Sequence, residues 1–277
     1  MVTFSASLGV NMAALTELSG LFSGTLTPAN VVYGASDMSY VVVVTSPVMH
    51  VDFSGSFQYD GGNLSGGTMN GITVAQDGTP AYSISDFSAS VQTLLNDASA
   101  SKVMSFFYGL FTGHDSINGS PGDDQLWALG RSDTITAGAG NDTLYSGAGA
   151  AHLIGGSGHD HFVFNNRLSN ATVDTILNFQ DGRDHIYLWE YVAKGFAMAS
   201  HLSMNHLFFW TAEHSGGLYK SSFHLGREAG NNNQHIIYDR AHGDLYYHPG
   251  GAPNHLLLFA KLPDHPLLTY QDFSIIA

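Results

Sequence analysis

Six consecutive nine-residue segments constrain the fold of this 277-residue chain more than any other feature of its sequence. Over residues 110–163, glycine stands at the fourth place in five of the six segments, aspartate at the sixth place in five, and an apolar residue at the eighth place in all six. Three columns that stay in phase over six copies predict a repeat architecture, in which no copy buries its apolar residue alone. The segments are LFTGHDSIN, GSPGDDQLW, ALGRSDTIT, AGAGNDTLY, SGAGAAHLI and GGSGHDHFV.

Each column of the repeat has a physical reason. Glycine tolerates positive φ, so the first six residues can turn tightly, and the last three form a short strand that points its apolar residue inward. Two segments then make one coil of a parallel β-roll, and each segment stacks on the one two places later. Stacked turns bring carboxylates and carbonyl oxygens together, which favours a hard cation of flexible coordination, Ca²⁺ rather than Mg²⁺. The expected calcium-site residues are Asp115, Gly122, Asp124, Asp133, Gly140, Asp142, Gly158 and Asp160.

The repeats are not equally suited to hold an ion. We expect intact sites between Asp124 and Asp142 and between Asp142 and Asp160. Further aspartates after the repeats are left open, either as additional ligands or as solvated turn caps; they are Asp174, Asp181 and Asp184.

Two substitutions weaken the other turns. Ala151 removes the carboxylate that would face Asp133, and Arg131 replaces a turn glycine, which disfavours the left-handed conformation. The site between Asp115 and Asp133 is therefore expected to be compromised.

This pattern resembles the GGxGxDxUx repeats of the RTX proteins, which form calcium-binding β-rolls. The stretch FVFNNRLSNATVDTILNFQDGRDHIYL resembles the usual continuation of such rolls, and IIYDRAHGDLYYHPGG followed by QDFSIIA resembles their C-terminal cap. In that family an uncleaved C-terminal region carries the signal for type I secretion. The resemblance implies a secreted, extracellular protein whose partners are calcium ions and the type I secretion machinery.

Composition narrows the choice of ligands and partners. The net charge is −14, and no basic patch is present, so the sequence predicts no nucleic-acid partner. The chain has no cysteine, so any metal site must use oxygen or imidazole ligands. No run of about 18 apolar residues occurs, which predicts no transmembrane segment.

Changes of texture along the chain predict a mostly β protein in three parts. An N-terminal α+β domain contains the strand-like stretches 40–45 and 49–57 and the helix-like stretches 87–97 and 102–111. A β-roll and a β-rich cap follow it. The expected bounds are 1–108 for the N-terminal domain, 109–164 for the β-roll and 165–277 for the cap with its secretion signal.

Three classes of function remain open for the N-terminal part. A calcium-dependent binding or surface-associated module is the first. The second follows from SDMSYVVVVTSPVMHVDFSG, AYSISDFSASVQTLL and VMSFFYGLFTGHD, whose order resembles secreted haemophores; the resemblance implies haem binding by Tyr40, supported by His50. An enzyme of unrecognised type is the third, although the sequence has no HExxH, GxSxG or P-loop motif.

Overall fold

The computed structural model describes ten stretches of the chain, and nearly all of the ordered elements in them are strands. The remaining described elements are short helical pieces, among them two 3₁₀ turns, Lys220–Ser222 and Tyr270–Asp272. No helix in these stretches is long and apolar enough to cross a bilayer. The described residues are 1–6, 31–33, 37–43, 48–60, 63–76, 79–92, 109–166, 168–189, 216–250 and 252–276.

The N-terminal part is an antiparallel sheet. Strands β2 to β6 pair in chain order, and β1 lies beside β6. The strands expected at 40–45 and 49–57 are confirmed as β3 and β4. Of the two expected helices, residues 93–97 and 102–108 lie outside the described residues; Ala89–Ser90, within the first expected helix, instead form the short strand β7 beside β5. The strands are β1 (Thr3–Ala6), β2 (Val31–Tyr33), β3 (Asp37–Val43), β4 (Val48–Asp60), β5 (Asn63–Gln76), β6 (Thr79–Ser85) and β7 (Ala89–Ser90).

The six segments form a parallel β-roll, as the repeat predicts. Successive strands alternate between two sheets, and each strand pairs with the strand 18 residues later, as in Thr134↔His152 and Thr143↔His161. The eighth-place residues, from Ile117 to Phe162, are fully buried between the sheets. The strands are β8 (Ser116–Asn118), β9 (Gln125–Trp127), β10 (Thr134–Ala139), β11 (Thr143–Tyr145), β12 (His152–Ser157) and β13 (His161–Phe164).

The roll continues past the repeats and ends in a cap. Strands β14 and β15 add one further parallel strand to each sheet, and β18, β19 and β20 then form an antiparallel meander that joins β14. These strands agree with the β-rich cap expected in this part of the chain. The strands are β14 (Asp174–Leu177), β15 (His185–Trp189), β16 (Gly216–Gly217), β17 (Phe223–Leu225), β18 (Ile236–Asp239), β19 (Asp244–Tyr247), β20 (Leu257–Lys261) and β21 (Phe273–Ile276).

One strand joins the N-terminal sheet to the roll. Strand β1 pairs antiparallel with β6 on one side and parallel with β8 on the other. The described N-terminal strands therefore belong to the same hydrogen-bonded sheet as β8, β10, β12 and β14.

Candidate metal centre

The turns of the roll stack in two columns, one along each edge. The first turn column contains residues 110–115, 128–133 and 146–151, and each of its turns leads into a strand of the larger sheet. The second turn column contains residues 119–124, 137–142 and 155–160, and leads into the six-stranded sheet. We call the space between turns 119–124 and 137–142 the first gap, and the space between 137–142 and 155–160 the second gap.

A ladder of carboxylates runs along the second turn column. The main-chain N–H of Asp124 donates to Asp142 Oδ1 at 2.8 Å, and the N–H of Asp142 donates to Asp160 Oδ1 at 3.1 Å. The N–H of Asp160 continues the series by donating to Asp184 Oδ1 at 3.1 Å. Each carboxylate thus reaches back to the preceding turn through its Oδ1, and its Oδ2 does not take part in this bond.

The second oxygens differ between the middle and the ends of this ladder. Asp142 Oδ2 and Asp160 Oδ2 are buried and have no hydrogen-bond partner among the described residues. At the ends, Ser120 N–H donates to Asp124 Oδ2 at 2.6 Å, and Gln180 N–H donates to Asp184 Oδ2 at 2.8 Å. Because a buried carboxylate oxygen without a partner is costly, the two middle positions call for a cation.

Carbonyl oxygens face the same gaps. A Cβ atom added at Gly140 would lie 2.7 Å from the carbonyl oxygen of Gly122, and one added at Gly158 would lie 1.8 Å from that of Gly140. Both glycines also have positive φ, +118° and +140°. Only glycine allows this approach, which lets the carbonyl oxygens of one turn point at the next.

Burial and mutual repulsion make these carboxylates hard to ionise. Burial, together with the charges of Asp160 and Asp124, raises the pKa of Asp142 to about 7. Burial also raises the pKa of Asp160, and it raises that of Asp184 to about 6. A cation in the gaps would offset this repulsion and hold the carboxylates ionised.

The donor set fits calcium. No group of three or more carboxylate or imidazole side chains converges on one point in the described part of the chain, so any ion here must also take main-chain oxygens. Such a mixture of carboxylate and carbonyl oxygens suits Ca²⁺, which accepts flexible coordination. The groups that would hold the ions are the carboxylates of Asp142 and Asp160 and the main-chain carbonyls of Gly122 and Gly140.

The first turn column is closed by its own hydrogen bonds. Asp115 Oδ1 accepts from Val2 N–H at 2.6 Å, and its Oδ2 accepts from Gly113 N–H at 3.2 Å. Asp133 Oδ1 accepts from Asp115 N–H at 2.9 Å, and its Oδ2 accepts from Gly130 N–H at 2.8 Å. All four oxygens of these two carboxylates therefore have main-chain partners.

Further along the first turn column, an aspartate from outside the repeats stands beside the substituted turn. The N–H of Ala151 donates to Asp174 Oδ1 at 2.7 Å, and the hydroxyl of Ser146 is a second partner of the carboxyl group. Burial raises the pKa of Asp174 to about 8, so the group is a neutral acid at pH 7. As a neutral acid, Asp174 accepts the hydrogen bond of the Ala151 N–H without adding a negative charge to the turn.

The geometry agrees with a comparison to known protein families. Residues 112–130 and 127–162 match the model of the RTX calcium-binding nonapeptide repeat, which spans four copies. These residues are RTX calcium-binding repeats. The RTX segment is a minor part of the chain, and the remainder lies outside the match.

Among solved structures, the chain is similar to the AlgE6R3 subunit from the Azotobacter vinelandii mannuronan C5-epimerase. The likeness has 22% sequence identity and a TM-score of 0.36, and covers 59% of this chain and 78% of that chain. A likeness of this size carries no argument about function. No curated protein sequence matches the chain.

The sequence alone did not decide whether two of the aspartates that extend the turn columns are ligands or solvated turn caps. Asp184 and Asp174 extend the second and first turn columns, at spacings of 24 and 23 residues from their partners. Those spacings break the period of the RTX repeats, so the phase of the repeat could not identify them. Asp181 is not on a ladder: it is exposed and accepts from Leu267 N–H at 2.9 Å.

The two residues suggested for haem lie on neighbouring strands but at different register positions. Tyr40 pairs with Val51, and His50 pairs with Val41. Positions offset by one along such a pair belong to opposite faces of a sheet. The backbone does not bring Tyr40 and His50 to one face, and haem binding stays a prediction from sequence resemblance alone.

Proposed function

We propose that the RTX repeats form a calcium-dependent folding module that holds two ions, one in each gap of the second turn column. The observation that carries this proposal is the pair of buried oxygens without hydrogen-bond partners, Asp142 Oδ2 and Asp160 Oδ2. Each gap has one such oxygen, together with carbonyl oxygens of the preceding turn. The carboxylates at the ends of the ladder have hydrogen-bond partners for both oxygens, from Ser120 N–H and its hydroxyl at Asp124 and from main-chain N–H groups at Asp184, which limits the sites to two.

Calcium binding is coupled to folding in this proposal. Without an ion, ionised carboxylates crowd the gaps, and the chain's net charge of −14 adds to the repulsion. An ion that binds the folded roll alone stabilises it, by about 2.7 kcal/mol when its concentration is 100 times the dissociation constant. Folding is then favoured where calcium is abundant.

We assign this switch to export. A roll that stays loose in a calcium-poor cytosol and folds in about millimolar extracellular calcium suits passage through type I secretion machinery. The assembled protein is then a secreted, calcium-dependent binding or surface-associated module. The haem alternative has no structural support in the described strands.

Calcium titration by calorimetry tests the two-ion proposal, with the full chain and two matched variants. Wild type should bind two ions. Asp142→Ala should weaken the ion in the first gap, which the Asp142 carboxylate faces, by at least about tenfold, the loss typical even of a partner in the outer shell. Asp133→Ala, in the first turn column, should leave both in place.

A conservative variant guards against a folding defect. Asp142→Asn retains an oxygen for the Asp124 N–H and so preserves the ladder hydrogen bond, but it lacks the charge that an ion needs. It should fold and bind calcium weakly. No binding by wild type at millimolar calcium, or equal losses in Asp142→Ala and Asp133→Ala, would contradict the proposal.

A further inference from the structure

Strand β1 occupies the place of an additional rung at the N-terminal end of the roll. It pairs parallel with β8, with Thr3 opposite Ser116 and Phe4 opposite Ile117. Phe4 is fully buried, as is Ile117, the eighth-place residue of the first repeat. Phe4 therefore fills the position that the inward apolar residue fills in every repeat.

The hydrogen bonds of β1 also repeat those that join successive turns of the first turn column. Val2 N–H donates to Asp115 Oδ1 at 2.6 Å, as Asp115 N–H donates to Asp133 Oδ1 at 2.9 Å. Ser116 N–H donates to the carbonyl of Val2 at 2.8 Å, as Thr134 N–H donates to that of Asp115. Val2 thus makes the main-chain hydrogen bonds that Asp115 makes in the next turn of the first turn column. The series of such bonds ends at Val2, because Val2 has no carboxylate.

Strand β1 is connected to the first gap through β8. Strand β8 ends at Asn118, and the turn 119–124 that forms one wall of the first gap begins at the next residue. The side-chain amide of Asn118 donates to the carbonyl of Phe4 at 3.3 Å. On its other edge, β1 is held by four antiparallel register pairs with β6.

We infer that β1 caps the roll and that Asp115 is a positioning residue, whose carboxylate holds the Val2 N–H instead of an ion. The cap fixes β8, and β8 fixes the wall of the first gap. Calcium in the first gap therefore depends on β1, whereas calcium in the second gap, formed by later turns, does not. This inference rests on the two-ion proposal above.

The first experiment is calcium calorimetry on the full chain with substitutions at Asp115. Asp115→Ala leaves the Val2 N–H without an acceptor and should weaken one of the two ions by roughly tenfold, the equivalent of one lost hydrogen bond in a buried site. The other ion should keep its wild-type affinity. Asp115→Asn retains an acceptor oxygen and should bind both ions nearly as wild type does, which a residue that bound calcium through its charge would not.

A second measurement does not require calcium. Val2→Pro removes the N–H that donates to Asp115, and Val2→Ala is its control because it keeps that N–H. Amide hydrogen exchange of residues 116–118 should accelerate in Val2→Pro and in Asp115→Ala, and remain near the wild-type rate in Val2→Ala.

The outcomes separate this inference from the two-ion proposal. If wild type binds two ions and Asp115→Ala changes neither, or if Asp115→Asn loses as much as Asp115→Ala, the positioning role is wrong and the two-ion proposal stands. If wild type binds no calcium, the two-ion proposal and the calcium part of this inference both fail. If amide exchange of residues 116–118 is unchanged in Val2→Pro, the inference that β1 caps the N-terminal end of the roll is wrong.

Discussion

The two turn columns share one register and nearly the same residue pattern, yet they treat their carboxylates differently. In the first turn column, Asp115 and Asp133 have main-chain partners for both oxygens. In the second, Asp142 and Asp160 each keep one buried oxygen without a partner among the described residues. An aspartate at the sixth place of an RTX repeat is therefore compatible with either a self-contained turn or a cation site.

The difference comes from the turn that precedes each aspartate. Carbonyl oxygens point at the next turn in both columns, but in the first turn column those of Gly113 and Arg131 accept hydrogen bonds from that turn, from Arg131 N–H at 2.8 Å and from Ala150 N–H at 2.9 Å. In ALGRSD, Arg131 occupies the fourth place, and the N–H of Gly130 turns instead to the Asp133 carboxylate. Oxygen atoms facing a gap attract a cation, whereas an N–H in the same place replaces it.

Removing calcium should have the largest effect and should separate the columns. Chelation with EGTA should accelerate hydrogen exchange at the amides of Asp124 and Asp142, which bond across the gaps, by about 100-fold if the ions were present at 100 times their dissociation constants. The amides of Asp115 and Ala151, in the first turn column, should change much less. Equal acceleration in both columns would show that the columns do not differ in calcium dependence.

The parts of this molecule that obey the repeat were predictable from sequence. A period of nine places Ile117 through Phe162 inside the roll, pairs strands 18 residues apart and puts Asp142 between Asp124 and Asp160. The strand-like stretch 49–57 was likewise predicted, and it lies in β4.

Other features depend on contacts that the sequence does not encode locally. Strand β1 meets β8 across 113 residues of chain, as in the Val2–Asp115 bond, and carries no repeat signature. Asp174 and Asp184 join their ladders at spacings of 23 and 24 residues, out of phase with the repeat. The sequence also could not show that both oxygens of Asp115 and of Asp133 have main-chain partners, because these two residues have the same spacing as Asp142 and Asp160.

Restoring the missing aspartate of the first turn column should not create a calcium site. Ala151→Asp places a second carboxyl group beside Asp174, in a position with 1% exposure. We expect the variant to lose about 1–3 kcal/mol of unfolding free energy, the cost of an unsatisfied buried polar group, and calorimetry to count two ions as in wild type. A urea titration measures the loss. A third ion in the single variant would mean that the two columns differ only in their aspartates and that the preceding turn does not decide between them.

A pH series should distinguish the columns by smaller differences. The pKa of Asp142 is raised from 3.8 to about 7, and that of Asp174 from 3.8 to about 8. A carboxyl group with a raised folded-state pKa stabilises the fold fully below its unfolded pKa, and this contribution is lost as pH rises to the folded value. Without calcium, the urea midpoint should therefore fall from pH 4 to pH 8.

Calcium should remove the part of this slope that belongs to the second turn column. A bound ion keeps Asp142 ionised, so below pH 7 it must displace a proton, and calcium affinity should rise by up to about tenfold per pH unit until pH 7 and then level off. In saturating calcium the midpoint should still decline toward pH 8, because Asp174 makes no use of the ion. Asp174→Asn should abolish that decline above about pH 6, where Asp184 is already ionised, since the amide does not titrate, and should leave the pH dependence of calcium affinity unchanged. A slope above pH 6 that persists in Asp174→Asn would place the remaining titration at another group and would mean that Asp174 is not the neutral acid of the first turn column.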